Sequence, residues 1–489
     1  MIKTEHIDGV RLLRHRDQQE HTDVTLTFAV GARDETLRTV GVAHTVEHLV
    51  MSTVRQLPIQ VQAEVDLEST TFAASGSPAR VGEFLNRLCA ALADPPVDRL
   101  AVEAGVLAAE DGWAAHPMAA FLLFARYGAA GPGLAWLEGA GYDGLTAQHV
   151  TSFARKWFIP GNAVLQVSGP LPDGLELKLP QGPAPIREYP AGRLVDGPSA
   201  VGYGIPGAAV LLTVPLGDAA RAPMLAMSVL ENRIEEQCRH VAGHSYVVDS
   251  QLVGRDFVVF AEAREGTEEP VVRAVGEALT DLAIHGPSEE ELALAVARLE
   301  EGLATTDREL ASAFGAAMLQ LMGDPPLAPT DIVLAKQVRP ADIAAVLRDA
   351  LPSAIGYAEQ EVLNVWEAHG FRPETHCRVI PELPAGKVYK PSLAARTFFK
   401  DARSLVLVQT GQGLALRDED GVHEIRWEEV AGVMRTDSPT VVLGINGCAI
   451  PVDPQMFRGS GTALDELARR TDPGLWFDES AFTRNQDDH

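Results

Sequence analysis

The stretch Gly41-Val-Ala-His44-Thr-Val-Glu47-His48-Leu-Val50 constrains this chain more than any other. On a helix, His44 and His48 fall one turn apart on the same face, with Glu47 beside them. Two imidazoles so placed can converge on one metal ion, and the adjacent carboxylate can take a proton from a water held there. The histidine pair alone is equally compatible with a structural helix that holds no metal.

A catalytic zinc site commonly has three protein ligands and one open position. The third must come from elsewhere, and a helix expected over residues 97–113 offers Glu103 and Glu110, two turns apart and so facing the same way. The residues between them are small and apolar. Two carboxylates on a buried helix are costly unless they are paired or bind metal; a solvated helix face is the plain alternative.

At 489 residues the chain exceeds one ordinary core, so two to four domains are expected. A net charge of −26 argues against nucleic acid or an anionic membrane as a partner, and would not repel a basic peptide. Cys89, Cys238, Cys377 and Cys448 form no C-x-x-C pair and read as buried or incidental thiols of a reducing compartment. The N-terminus shows no apolar signal segment, and no apolar run is long enough to span a membrane. A cytoplasmic protein is the expectation.

Residues 22–31 alternate, with Val24, Leu26, Phe28 and Val30 on one face, which predicts a strand. A helix over 37–53 follows, carrying the His-Glu-His set. A second alternating stretch lies at 61–72, helices are expected at 80–93 and 147–157, and a strand at 163–168. After a Pro- and Gly-rich segment the same grammar recurs: strands at 210–215, 246–252 and 257–263, helices at 223–238, 270–285, 289–322 and 340–351. This predicts two tandem α+β domains of duplicated fold. Beyond 392 the texture changes to short strands (405–409, 413–417, 424–427, 440–445) with Asp-Gly and Asn-Gly turns, closed by a helix at 463–470.

Taken together, the run from Leu26 to Thr53 and the segment Glu103-Ala-Gly-Val-Leu-Ala-Ala-Glu110 resemble the insulinase/pitrilysin family of zinc peptidases, whose H-x-x-E-H order is the inverzincin motif. The resemblance implies that zinc is held by His44, His48 and Glu110, that Glu47 is the general base, and that Glu103 is an outer carboxylate. Arg239-His-Val-Ala-Gly243-His-Ser-Tyr246 is similar to the family segment whose Arg and Tyr contact the substrate backbone, which implies that role for Arg239 and Tyr246. It also implies a substrate peptide added as a strand near residues 61–72, and pairing with a second copy or a paralogous subunit as a homodimer or heterodimer. The chain departs from the family pattern in two places. The interval of 62 residues from His48 to Glu110 is short, and no Asn-Ala stands in the 62–72 region.

The expected division is a peptidase domain at 1–172, a linker at 173–198, a second such domain at 199–370, a linker at 371–392, a pleckstrin-homology-like β domain at 393–480 and a disordered tail at 481–489. The expected activity is a zinc-dependent endopeptidase acting on extended peptides. The alternative is a non-catalytic subunit or adaptor of a heterodimeric peptidase, docked through its C-terminal domain.

Overall fold

The alternation at 22–28 does build a central strand: Val24, Leu26 and Phe28 are buried together. A computed structural model of the chain describes residues 2–15, 20–110, 115–137, 139–187, 198–214, 221–305, 308–323, 332–377, 379–398 and 401–479. The class is α+β. The first sheet contains β1 (Lys3–Ile7), β2 (Val10–His15), β3 (Thr22–Phe28), β4 (Gln60–Val65), β5 (Thr70–Gly76) and β6 (Ala163–Ser168), in spatial order β1-β2-β6-β3-β5-β4. Strands β2 and β6 run parallel and the other neighbours antiparallel.

Five helices accompany this sheet in the chain: α1 (Val42–Met51), α2 (Pro78–Ala93), α3 (Leu100–Leu107), α4 (Pro117–Tyr127) and α5 (Ala147–Trp157). Helices α1, α2 and α5 bury their apolar stripes on one face, around Leu26, Phe28, Phe72, Phe84 and Phe158. Phe28 meets Phe158 edge-on with ring centres 5.0 Å apart.

The second sheet repeats the plan. It holds β7 (Ser199–Gly202), β8 (Gly207–Thr213), β9 (Val248–Val253), β10 (Asp256–Glu262), β11 (Ile355–Ala358) and β12 (Arg372–Pro373), ordered β12-β7-β11-β8-β10-β9. Strand for strand, β7, β11, β8, β10 and β9 match β2, β6, β3, β5 and β4, including the parallel β7–β11 pair. Helices α6 (Arg221–Glu235), α7 (Glu268–His285), α8 (Glu289–Thr305) and α9 (Arg308–Met322) follow within this half.

The two halves exchange cover for their back faces. α4 is apolar all round, and its residues from Met118 to Phe124 pack on Ala209, Leu211, Val258, Phe260 and Tyr357 of the second sheet. In return, Ala317 and Met318 of α9 pack on Leu13, Ala29 and Val164 of the first. Strand β8 is therefore buried on both faces, which suits its unbroken apolar run Gly-Ala-Ala-Val-Leu-Leu. Each fully buried Leu or Phe here contributes roughly 1.5–3 kcal/mol against exposure.

The C-terminal residues form two further sheets. One contains β13 (Val379–Ile380), β14 (Lys387–Tyr389), β15 (Val406–Gln409), β16 (Gly413–Arg417) and β17 (Val422–Arg426). The other contains β18 (Val430–Arg435), β19 (Thr440–Gly444), β20 (Ala449–Val452) and β21 (Trp476–Asp478). A helix over Gly461–Arg470 packs Ala463 and Leu467 into the core between them.

Three expectations need correction. The helix expected over 37–53 begins only at Val42, after a short 3-10 turn at Leu37–Thr39, because Gly41 is left-handed with φ 87° and cannot continue a right-handed helix. The helix expected over 97–113 ends at Leu107, and 111–114 lie outside the described residues. Residues 371–392, expected as a linker, contribute β12, β13 and β14 as edge strands of two sheets.

The β19–β20 turn docks on the end of α4: Ala129 N–H donates to the Ile445 carbonyl at 3.1 Å. Gly128 makes the approach possible, with φ 67° and ψ −147°, a region open essentially to glycine alone, and with a Cβ there overlapping the Ile445 carbonyl. Gly128→Ala is expected to lower unfolding stability by about 1–3 kcal/mol from the backbone strain alone. It should also speed amide exchange at Ala129, measured by hydrogen–deuterium exchange; unchanged protection would show that the dock does not depend on this glycine.

Candidate metal centre

Glu35 organises the start of α1. Its carboxyl oxygens accept from the Gly41 N–H at 2.7 Å and the Ala43 N–H at 2.8 Å, satisfying donors that a helix start leaves without intrahelical partners. Thr45 closes the first turn by donating its hydroxyl to the Gly41 carbonyl at 2.9 Å. Tyr142 lies flat against Gly41, where a side chain would collide with its ring, and its hydroxyl sits 3.4 Å from His44 Nδ1.

With α1 so fixed, Val42, Ala43, Val46, Leu49 and Val50 face the core. His44 and His48 project from the opposite face, ring centres 4.9 Å apart and nearly perpendicular. Glu47 lies between them, one carboxylate oxygen 3.7 Å from each Nε2. Within α1, the ligand atoms of His44, Glu47 and His48 lie within 4.8 Å of one another.

Two carboxylates arrive from the α3 region. Glu103 is buried and anchored by Arg99, whose Nη2 donates to Oε1 at 2.6 Å; its other oxygen lies 3.6 Å from His48 Nδ1. Glu110 lies past the end of α3, where its N–H bonds the Leu107 carbonyl at 3.1 Å. Its Oε2 is 3.6 Å from His44 Nε2 and 3.4 Å from His48 Nε2. Glu103 and Glu110 thus meet the same histidine pair, though not as successive turns of one helix.

These separations suit a tetrahedral ion. With metal–ligand bonds of about 2.0–2.2 Å, nitrogen and oxygen ligands stand roughly 3.3–3.6 Å apart. His44 Nε2, His48 Nε2 and Glu110 Oε2 could close on zinc with little movement, and the donor set is the His₂Glu type. Glu103 against His48 Nδ1 would supply the outer carboxylate that orients a ligating imidazole.

The electrostatics point the same way. Burial, then the nearby His48, holds His44 down at about 4, so its ring is neutral and free to ligate near neutral pH. Burial, then Glu110 and Glu103, pushes Glu47 up to about 7, the range suited to moving protons at neutral pH. Burial also raises Tyr142 to about 12, so its hydroxyl stays protonated.

Arg239 and Tyr246 lie apart from this cluster. Arg239 sits in a π-helical turn at Glu236–Val241 and pairs with Glu235 at 3.2 Å. The exposed Tyr246 hydroxyl bonds Glu262, which also holds His116 Nε2 at 3.0 Å. Sequence reasoning missed Glu35, Tyr142 and Arg99. Only Arg99 left a signal, its i,i+4 spacing from Glu103.

No family model matches the chain. Over 194 residues it is 29% identical to the coenzyme PQQ synthesis protein F of Pseudomonas putida, a match spanning 35% of this chain and 25% of that protein. The curated relative is therefore matched over about a quarter of its length. Among solved structures, an M16 peptidase inactive domain from Pseudomonas fluorescens superimposes with a TM-score of 0.58 at 16% identity, over 73% of this chain and 97% of that one. The first half of the periplasmic protease PqqL from Escherichia coli does so with 0.52 at 15% identity, over 74% and 92%. The chain shares the fold of the M16, insulinase-like peptidases, a fold found both in proteases and in inactive domains. Among the described residues no helix is long and apolar enough to cross a membrane.

Glu35 gives a stability prediction. Burial raises it from 4.5 to about 8, against the pull of its two backbone donors. The folded state therefore keeps this proton to higher pH than the unfolded chain, and the associated stability is full below 4.5 and is lost as pH rises through about 8. In chelator, the urea midpoint of the wild type relative to Glu35→Gln is expected to fall across that window. A constant difference between the two proteins would rule the assignment out.

Proposed function

We propose that this chain is a zinc-dependent endopeptidase that cuts extended peptides. The observation that carries the reading is the approach of Glu110 Oε2 to 3.6 Å from His44 Nε2 and 3.4 Å from His48 Nε2, with Glu47 beside both imidazoles. Zinc held there would polarise the attacking water and the scissile carbonyl. Glu47 takes the proton of that water and delivers it to the leaving amine. Glu103, fixed by Arg99, holds His48 in its ligating orientation through Nδ1, and Tyr142 steadies His44.

The substrate adds as a strand to β4, which forms the outer edge of its sheet and packs against α1. Arg239 and Tyr246 are substrate-contacting residues. Because they do not touch the metal cluster of their own chain, a partner copy or a paralogous subunit brings them to the peptide. The planar guanidinium fork of Arg239 can donate to peptide carbonyls, and the Tyr246 hydroxyl can support the developing oxyanion. The domain division at 172/199, a pleckstrin-homology-like docking role for residues 393–480 and a cytoplasmic location belong to the same proposal. An inactive subunit of a heterodimer is the competing reading, since the fold also occurs in an inactive domain.

Glu47→Gln is expected to slow cleavage of unstructured peptides by about 10²–10⁴-fold with zinc content retained. Glu110→Gln should lose the zinc itself. Cleavage by Glu47→Gln at the wild-type rate, or wild-type protein that binds no metal at this cluster, would overturn the zinc-peptidase reading; no cleavage by metal-loaded wild type would favour the inactive subunit.

A further inference from the structure

A second group of ligating side chains lies far from α1. Cys377, His423 and Cys448 are all buried, and their ligand atoms lie within 4.8 Å of one another. Cys377 Sγ is 2.8 Å from His423 Nδ1. The other ring nitrogen, Nε2, is 3.0 Å from Asp418 Oδ1. Asp418 is itself fixed by the β16–β17 turn, where it accepts the Asp420 N–H at 3.0 Å and the Gly421 N–H at 3.2 Å.

We propose that Cys377, His423 and Cys448 form a structural metal site for a thiophilic divalent ion, zinc first, with Asp418 orienting the imidazole from behind. The chemistry of the donors favours it. Two thiolates and an imidazole are the ligand set that zinc prefers over harder cations. Two thiolates also balance the ion's charge, so the bound site is neutral and suited to burial. Binding releases the two thiol protons to solvent. A carboxylate on the far nitrogen of a ligating histidine is the usual outer partner. The present sulfur–nitrogen contact is a hydrogen bond, and opening it to about 3.5 Å admits an ion at ordinary bond lengths. The three donors fill three of the four positions of a tetrahedral ion.

A thiol–imidazole–carboxylate row is also the arrangement of a cysteine nucleophile. Burial argues against that use here, because a nucleophile must be reached by substrate.

The three ligands come from segments that no local structure would hold together. Cys377 precedes β13, His423 lies on β17 of the five-stranded sheet, and Cys448 follows the β19–β20 turn of the four-stranded sheet. The neighbouring His376 ring lies 5.8 Å from Phe121 and 5.9 Å from Phe124 of α4. Ile445 of the same β19–β20 turn bonds Ala129. An ion here would clamp the two C-terminal sheets to each other and to the surface that receives them on the peptidase-like body.

The proposal is independent of the site on α1, and cobalt separates the two. Full-length protein, reduced, freed of metal and titrated with Co²⁺, is expected to show a near-ultraviolet thiolate-to-cobalt charge-transfer band, which His44, His48 and Glu110 cannot produce. The band should persist in His44→Ala and vanish in Cys377→Ser and Cys448→Ser. Zinc-loaded wild type should hold one equivalent per chain more than Cys448→Ser. The wild-type titration does not depend on the variants folding. Absence of the band from folded wild type overturns the proposal, as does recovery of Cys377 and Cys448 as a disulfide in freshly isolated protein.

Discussion

The contact on which the rest depends is the carboxyl of Glu35 against the first turn of α1. The chain must turn sharply at Gly41 to lay α1 on the sheet, and that turn exposes backbone donors inside a dry region. Glu35 meets two of them at 2.7 and 2.8 Å. A carboxyl group costs a good deal to bury; here that cost is offset by setting the helix axis and rotation. Rotation matters because a helix turned by one residue moves each side chain by about 100°. His44 and His48 would then leave Glu110, and Val46 would leave the core.

The reciprocal cover of the two sheets explains how such a site is kept rigid in a duplicated chain. Neither half can hide both faces of its sheet with its own helices. α4 leaves the first half to cover the second, and α9 returns the service. Glu110 lies between α3, which packs against α1, and α4, which is committed to the other half. In chain order, the third candidate ligand thus stands between an element of the first half and one that covers the second. The β19–β20 turn adds a further constraint at the other end of α4, through Ala129.

Much of this was legible in the sequence, for reasons that differ by element. Periodicity exposed β3 and the helical set His44, Glu47, His48, because one face of each is buried. The duplicated α+β plan was legible because strand and helix signals recur in the same order. The pairing of Glu103 with Glu110 was legible as chemistry, since carboxylates among small apolar residues need a partner, although the helix stops between them. α4 was not legible: residues buried on all sides carry no period. Glu35 and Tyr142 were hidden because they act through the tertiary approach of distant segments. The four cysteines read as buried or incidental thiols, and all four are buried thiols outside any disulfide among the described residues. Nothing in their spacing indicates that Cys377 and Cys448 meet at His423, because that meeting depends on how two sheets pack.

The charge balance at α1 is the last step. Glu47, Glu103 and Glu110 surround two imidazoles, and Arg99 is the fixed cation paired within the group, on Glu103. Without a further positive charge, burial and mutual repulsion must be relieved by protons, which is why Glu47 rises to about 7. Two positive charges between His44, His48 and Glu110 would remove that repulsion and return Glu47 toward its ordinary, ionised range. A carboxylate that is held high when the cluster is metal-free and lowered by the cation is tuned by occupancy. Under the proposed peptidase reading, such a carboxylate would become able to accept a proton once the ion had bound. The acidic excess of the whole chain, −26, adds a long-range field that favours cations over anions near the protein. Glu47 and Glu103 bring buried carboxylates to the imidazole pair and Glu110 an exposed one, so a cation arriving there would meet the charge from the solvent side as well as from the core.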